Sequence, residues 1–138
     1  MMTNKPKGLL VIMKDNLTWR RTFALLVVCI IFAGSSVPGK SIPHVFSLTP
    51  DKLIHCLEYG VLGFFLFRWL QVEFSTLPQK KVSLLTVLIG SLIGVADENY
   101  QRLTPGRTSD FRDWIIDSIG IILAVVFMNY LAKRKSIK

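Results

Sequence analysis

The chain predicts an all-α membrane protein, a four-transmembrane-helix bundle in one domain with both termini cytoplasmic. Three observations lead there. Hydrophobic residues make up 51% of the 138 residues, mean hydropathy is +0.45, and the apolar residues fall into four blocks. A bilayer core of ~30 Å needs about 20 helical residues, a length the blocks reach when extended into their polar flanks. Basic residues are shared unequally between alternate connecting segments, the asymmetry that sets orientation in a membrane.

The first block, Phe23 to Val37, follows Arg20 and Arg21 and predicts a span over 18–37. The second, Leu53 to Val72, is interrupted by His55, Glu58 and Arg68 and predicts a span over 51–72. The third, Val82 to Ala96, carries no charge and extends to a span over 82–103. The fourth, Trp114 to Ala132, has Asp117 as its only charge and predicts a span over 110–132. At 1.5 Å per residue the last three measure ~33 Å each. Their flanking acids then belong to helices and not to loops. Residues 1–17 read as a basic cytoplasmic segment, 18–132 as a single membrane domain and 133–138 as a basic cytoplasmic tail, leaving no room for a soluble module.

With the N-terminus inside, twelve of the seventeen Lys and Arg residues fall on inner segments. The five outer ones are Lys40, Lys52, Arg102, Arg107 and Arg112. The net charge of +8 and pI near 9.8 then fit anchoring to anionic lipid and require no nucleic acid. Trp19, Trp69 and Tyr130 near inner ends, with Tyr100 and Trp114 near outer ends, suit interfacial belts. A second reading of the first block is a signal peptide, since basic residues, an apolar stretch and Ala33-Gly34-Ser35 follow one another. Cys29 and Cys56 each lie on an apolar segment and read as small core residues rather than a disulfide framework.

The acids are placed unusually. Seven of nine, Asp51, Glu58, Asp97, Glu98, Asp110, Asp113 and Asp117, lie at or just inside the outer ends of spans. An ionised group within a spanning helix costs ~2.5–3.5 kcal/mol at mid-depth by insertion scales, so such a gathering points to a task. Asp51, His55 and Tyr59 recur at four-residue steps, which places them on one side of the second helix, with Glu58 three residues from His55. Gly90, Gly94, Asp97 and Gln101 share a stripe on the third, as do Asp110, Asp113, Asp117, Gly120 and Ala124 on the fourth. Gly90-xxx-Gly94 and Gly120-xxx-Ala124 permit close helix contact. Counting turns brings Glu58, Asp97 and Asp117 to one layer, ~6–10 Å below the outer surface. Like charges that close do not all stay ionised in low dielectric unless paired.

These motifs also resemble a known family. Asp51-Lys52-x-x-His55-x-x-x-Tyr59-x-x-Leu62-Gly63, then Glu98-x-x-Gln101, Gly106-Arg107, Asp110, Asp113 and Gly120, look like the VanZ family over roughly Pro50 to Ala124. Asp117 stands where that family commonly carries Asn, and Ala124 where Gly is common. The resemblance implies a bacterial inner-membrane protein linked to teicoplanin resistance or envelope stress.

The residues leave three function classes open. In the first, Asp51, Lys52, His55, Tyr59, Glu98, Gln101, Arg107, Asp110, Asp113 and Asp117 line an outward-facing pocket. It would bind or modulate a cell-envelope ligand, such as an anionic lipid headgroup, a peptidoglycan precursor or a glycopeptide. In the second, catalytic candidates His55, Glu58, Asp97, Glu98 and Asp113 move protons on a lipid-linked substrate while Arg107 and Lys52 hold its phosphate. In the third, the acids are ion pairs and caps that tie helix ends together. A metal site drawn from His55 and Glu58 with Asp97, Glu98 or Asp113 is chemically reasonable. With one histidine in the cluster, since His44 falls in the outer loop, the expectation is a site without metal or cofactor. Ser109 and Thr108 lack an elbow motif, so covalent nucleophilic catalysis is not expected.

Overall fold

A computed structural model describes residues 9–39 and 50–136, with side chains over 16–39 and 52–134. Four helices follow one another: α1 (Leu9–Ser35), α2 (Pro50–Glu73), α3 (Gln79–Gln101) and α4 (Phe111–Ser136). All four are long and apolar enough to cross a membrane, and the described residues contain no strand. The all-helical four-span architecture read from the sequence is therefore the observed one.

The boundaries differ from expectation at both ends of the chain. α1 begins at Leu9, nine residues before the predicted span, and α4 continues to Ser136 through the basic stretch read as a tail. Lys, Arg and Asp do not interrupt a helix whose hydrogen bonds are all internal; they only place that part of it in water. α3 starts earlier and ends earlier than expected, at Gln79 and Gln101. Pro78 fixes its start: φ is −58° and ψ is 144°, and the Pro78 carbonyl oxygen accepts from the Lys81 and Val82 amides at 2.8 and 3.2 Å. α4 begins at Phe111, so Asp110 lies just outside it and acts as its cap. The Arg112 amide donates to Asp110 Oδ1 at 2.9 Å, which satisfies one of the free amides of the first turn.

α2 is the centre of the bundle, packing against all three other helices and most extensively against α4. Among the described residues α1 packs against α2 and α3. The core is Tyr59, Leu62, Leu66, Phe67 and Leu70 of α2, with Ile31, Val82, Ile121 and Val125 from the others. Leu25, Leu26 and Ile30 of α1 and Leu123, Val126 and Phe127 of α4 point outward, as apolar groups do where lipid is the solvent. Because lipid is as apolar as leucine, close packing and interhelical hydrogen bonds hold such a bundle together. Gly120 supplies the packing. A Cβ there would lie 2.3 Å from the Cys56 carbonyl oxygen and 3.0 Å from the Gly60 amide, so α2 and α4 meet backbone to backbone. Trp114 supplies a polar tie between α3 and α4, its Nε1 donating to the Ser91 carbonyl and hydroxyl at 3.2 and 3.0 Å. At the opposite end of the bundle the Arg21 guanidinium pairs with Glu73, which also accepts from Trp69 Nε1 at 2.9 Å.

Candidate functional site

The polar layer forms between α2, α3 and α4. His55 and Tyr59 enter from α2, Asp97, Glu98 and Gln101 from α3, and Asp117 from α4; all six are buried. The stripes expected from helical periodicity thus face one another. Gly94 makes the space: a Cβ there would stand 3.3 Å from Trp114 Cδ1 and 3.5 Å from both Asp117 Oδ2 and Tyr59 Cε1.

The pairings within the layer are specific. His55 Nδ1 lies 3.1 Å from Asp117 Oδ1, joining α2 to α4. Gln101 Nε2 donates to Asp97 Oδ2 at 3.1 Å and to Ser35 Oγ at 3.3 Å, which brings the end of α1 to the rim of the layer. Glu98 Oε2 accepts the Asp110 amide at 3.0 Å, linking α3 to the start of α4. Four buried polar atoms have no hydrogen-bond partner among the described residues: the Tyr59 hydroxyl, Asp97 Oδ1, Glu98 Oε1 and Asp117 Oδ2. A buried acceptor without a donor costs about 1–3 kcal/mol, more when charged, so four in one layer is a costly concentration.

The cations are placed elsewhere. Lys52 Nζ sits 3.6 Å from Asp113 Oδ1, and both groups are partly solvent-exposed. Arg107 faces α1: its Nε donates to the Val37 carbonyl at 3.1 Å and its Nη2 to the Gly34 carbonyl at 3.0 Å. The turn before it permits this, with Gly106 at φ 77°, a conformation that L side chains rarely adopt. Asp110 is exposed and caps α4, Glu58 is half-buried, and the side chain of Asp51 lies outside the described residues. His55, Tyr59, Asp97, Glu98, Gln101 and Asp117 are therefore gathered. Lys52, Arg107, Asp110 and Asp113 stand around them.

Sequence reasoning did not single out Ser35, Thr104 or Ser91 as parts of this network. Ser35 is buried, and its carbonyl accepts from Thr104 Oγ1 at 3.0 Å. It belongs to the same Ala33-Gly34-Ser35 stretch that also reads as a cleavage pattern. Its nearness in sequence to a helix end was the available signal, but only the α3–α4 turn reveals what it bonds.

The nearest ligand-type atoms of His55, Glu98 and Asp117 all lie within 4.8 Å of one another. This set differs from the His55–Glu58 pair considered from spacing alone, because Glu58 remains at the edge of the layer while Asp117 enters it. A buried imidazole beside a carboxylate is an arrangement used both to orient a proton-transferring histidine and to hold a cation.

No curated protein and no solved structure is significantly similar to the chain. The VanZ/LLP1 family model, in contrast, matches residues 21–132, taking in α2 and α3, most of the first and fourth spans and every member of the buried polar layer, and the chain belongs to the VanZ/LLP1 family.

Proposed function

We propose that this protein is a multi-pass component of the bacterial inner membrane that binds a cell-envelope ligand at its polar layer and so alters how the envelope responds to glycopeptides such as teicoplanin. Membership of the VanZ/LLP1 family and the four apolar helices support the general setting. The twelve-to-five distribution of basic residues supports an outward-facing layer. One observation carries the binding reading: Tyr59, Asp97, Glu98 and Asp117 present unpartnered polar atoms from three helices into one layer. Three are carboxylate oxygens, so the ligand group that suits them donates hydrogen bonds or carries positive charge. Lys52, paired with Asp113 at the rim, is the group available to a phosphate of a lipid-linked molecule.

The test is native mass spectrometry of the protein extracted with envelope lipids, compared with His55→Ala and Glu98→Gln. A co-purifying lipid-linked species that is lost in both variants, with the proteins still inserted and folded, is the expected result. Identical lipid profiles in all three would reject the reading.

A second reading is favoured by the His55–Asp117 contact at 3.1 Å. A carboxylate on Nδ1 leaves the imidazole suited to proton transfer, as in hydrolysis or transfer on a lipid-linked substrate. Turnover of a labelled lipid-linked phosphate by purified protein, abolished in Asp117→Asn, separates this from binding alone.

A further inference from the structure

We propose that His55, Glu98 and Asp117 form a binding site for one divalent transition-metal ion, Zn²⁺ or Mn²⁺. The inference rests on reading the polar layer as a functional site and assigns that site a cofactor.

Geometry comes first. One nitrogen and two carboxylate oxygens, from α2, α3 and α4, lie within 4.8 Å of one another. His55 Nδ1 and Asp117 Oδ1 are 3.1 Å apart. Two ligands bound to one ion at about 2.1 Å, with angles of 90–110°, stand about 3.0–3.4 Å apart, so these two atoms need not move to share a cation. Glu98 is anchored through Oε2 by the Asp110 amide at 3.0 Å, which orients the carboxylate as outer-shell donors do.

Charge and hydrogen bonding give an independent reason. Asp117 is 0% exposed and Glu98 6%, yet Asp117 Oδ2 and Glu98 Oε1 have no hydrogen-bond partner among the described residues. A cation bound between the two carboxylates would offset the charge of both. Among the described residues, Arg107 is turned to the Gly34 and Val37 carbonyls, and Lys52 to Asp113. Asp97, one turn from Gln101, adds a third buried carboxylate and raises the local demand for positive charge.

The donor set selects the ion. Imidazole with two carboxylates suits Zn²⁺, Mn²⁺ or Fe²⁺ better than Ca²⁺ or Mg²⁺, which prefer all-oxygen sites. Three protein ligands leave at least one coordination position open, the arrangement of sites that act on a bound molecule rather than only hold a fold.

The experiment uses the full chain in detergent, stripped with EDTA and then dialysed against ZnCl2 or MnCl2. Bound metal is measured by inductively coupled plasma mass spectrometry, and thermal melting is recorded before and after loading. About one equivalent per chain and a higher melting temperature are expected for the wild type. Glu98→Gln and Asp117→Asn should each weaken binding about tenfold or more, whereas His44→Ala should keep the full equivalent. Retention by the Glu98→Gln/Asp117→Asn double variant, or loss in His44→Ala, would overturn the proposal. So would a wild type whose metal content and melting are the same stripped and loaded, a result that stands even if the variants do not fold. A wild type that binds metal while its lipid profile matches those of His55→Ala and Glu98→Gln would reject the ligand reading alone, and a wild type that carries a lipid lost in those variants but binds no metal would reject the metal alone.

Discussion

Arg107 secures the end of α1 through Gly34, whose carbonyl oxygen accepts from its Nη2 at 3.0 Å while Nε donates to Val37 at 3.1 Å. The Gly34 carbonyl also accepts the Val37 amide at 3.1 Å, and a guanidinium at this helix end adds a charged donor that complements the helix dipole. The α3–α4 connection is thereby tied to α1, which among the described residues packs against α2 and α3.

Arg107→Ala should therefore destabilise the bundle by about 1–3 kcal/mol, the range for hydrogen bonds to a charged group at a partly exposed position. Arg107→Lys, a point charge without the planar fork, should recover only part of the loss. Thermal melting in detergent micelles measures both. Unchanged melting in Arg107→Ala would show that the α1 end is held without it.

The glycines should differ sharply from one another. Gly120→Ala places a methyl group 2.3 Å from the Cys56 carbonyl oxygen, a backbone atom that cannot step aside. We expect a loss of about 1–3 kcal/mol, the usual cost of overpacking. Gly94→Leu should loosen the same three-helix layer by crowding Tyr59 and Trp114. Gly34, where a Cβ would meet nothing within 4 Å, is the control: Gly34→Ala should be neutral or stabilising by up to about 1 kcal/mol. Equal melting of all three would mean that α2 and α4 are farther apart than described.

Tyr59→Phe separates a site from a scaffold. The hydroxyl is buried without a partner among the described residues, so deleting it should leave stability unchanged or raise it by up to about 1–3 kcal/mol. If the layer binds a ligand, the same change should reduce ligand retention while melting holds or improves. A Tyr59→Phe protein that melts lower and still retains its lipid would point to a structural role for the hydroxyl.

Orientation is open to direct measurement. Both termini are expected in the cytoplasm and the Leu103–Ser109 turn outside, from the distribution of Lys and Arg. Reporter fusions at Lys138 and near Thr104 should be active in the cytoplasm and periplasm respectively. A periplasm-only reporter active at Lys138 would invert the protein and move the polar layer to the inner face.

The sequence by itself determined the four spans and the helix stripes on which His55, Tyr59, Asp97, Gln101 and Asp117 lie. Apolar blocks of membrane-crossing length leave helices as the economical way to satisfy backbone groups in lipid. Periodicity then assigns His55 and Tyr59, Asp97 and Gln101, and Asp117 and Gly120 to shared stripes, because side chains three and four apart must lie on one side of a helix. Helix ends were less legible: α1 and α4 run on through charged residues, whose polarity marks the water boundary and not the end of hydrogen bonding. Which atoms meet across helices was decided only in three dimensions. The close approach at Gly120 and Cys56 sets the distance between α2 and α4, and so puts His55 3.1 Å from Asp117 while Glu58 stays at the edge. The turn at Gly106 sends Arg107 to the carbonyls of α1 instead of into the layer, where the sequence left open an ion-paired cluster or a pocket in which Arg107 holds a phosphate. Spacing along a chain fixes the face a residue occupies. The partner it finds there depends on backbone separations and loop paths that only the packed bundle specifies.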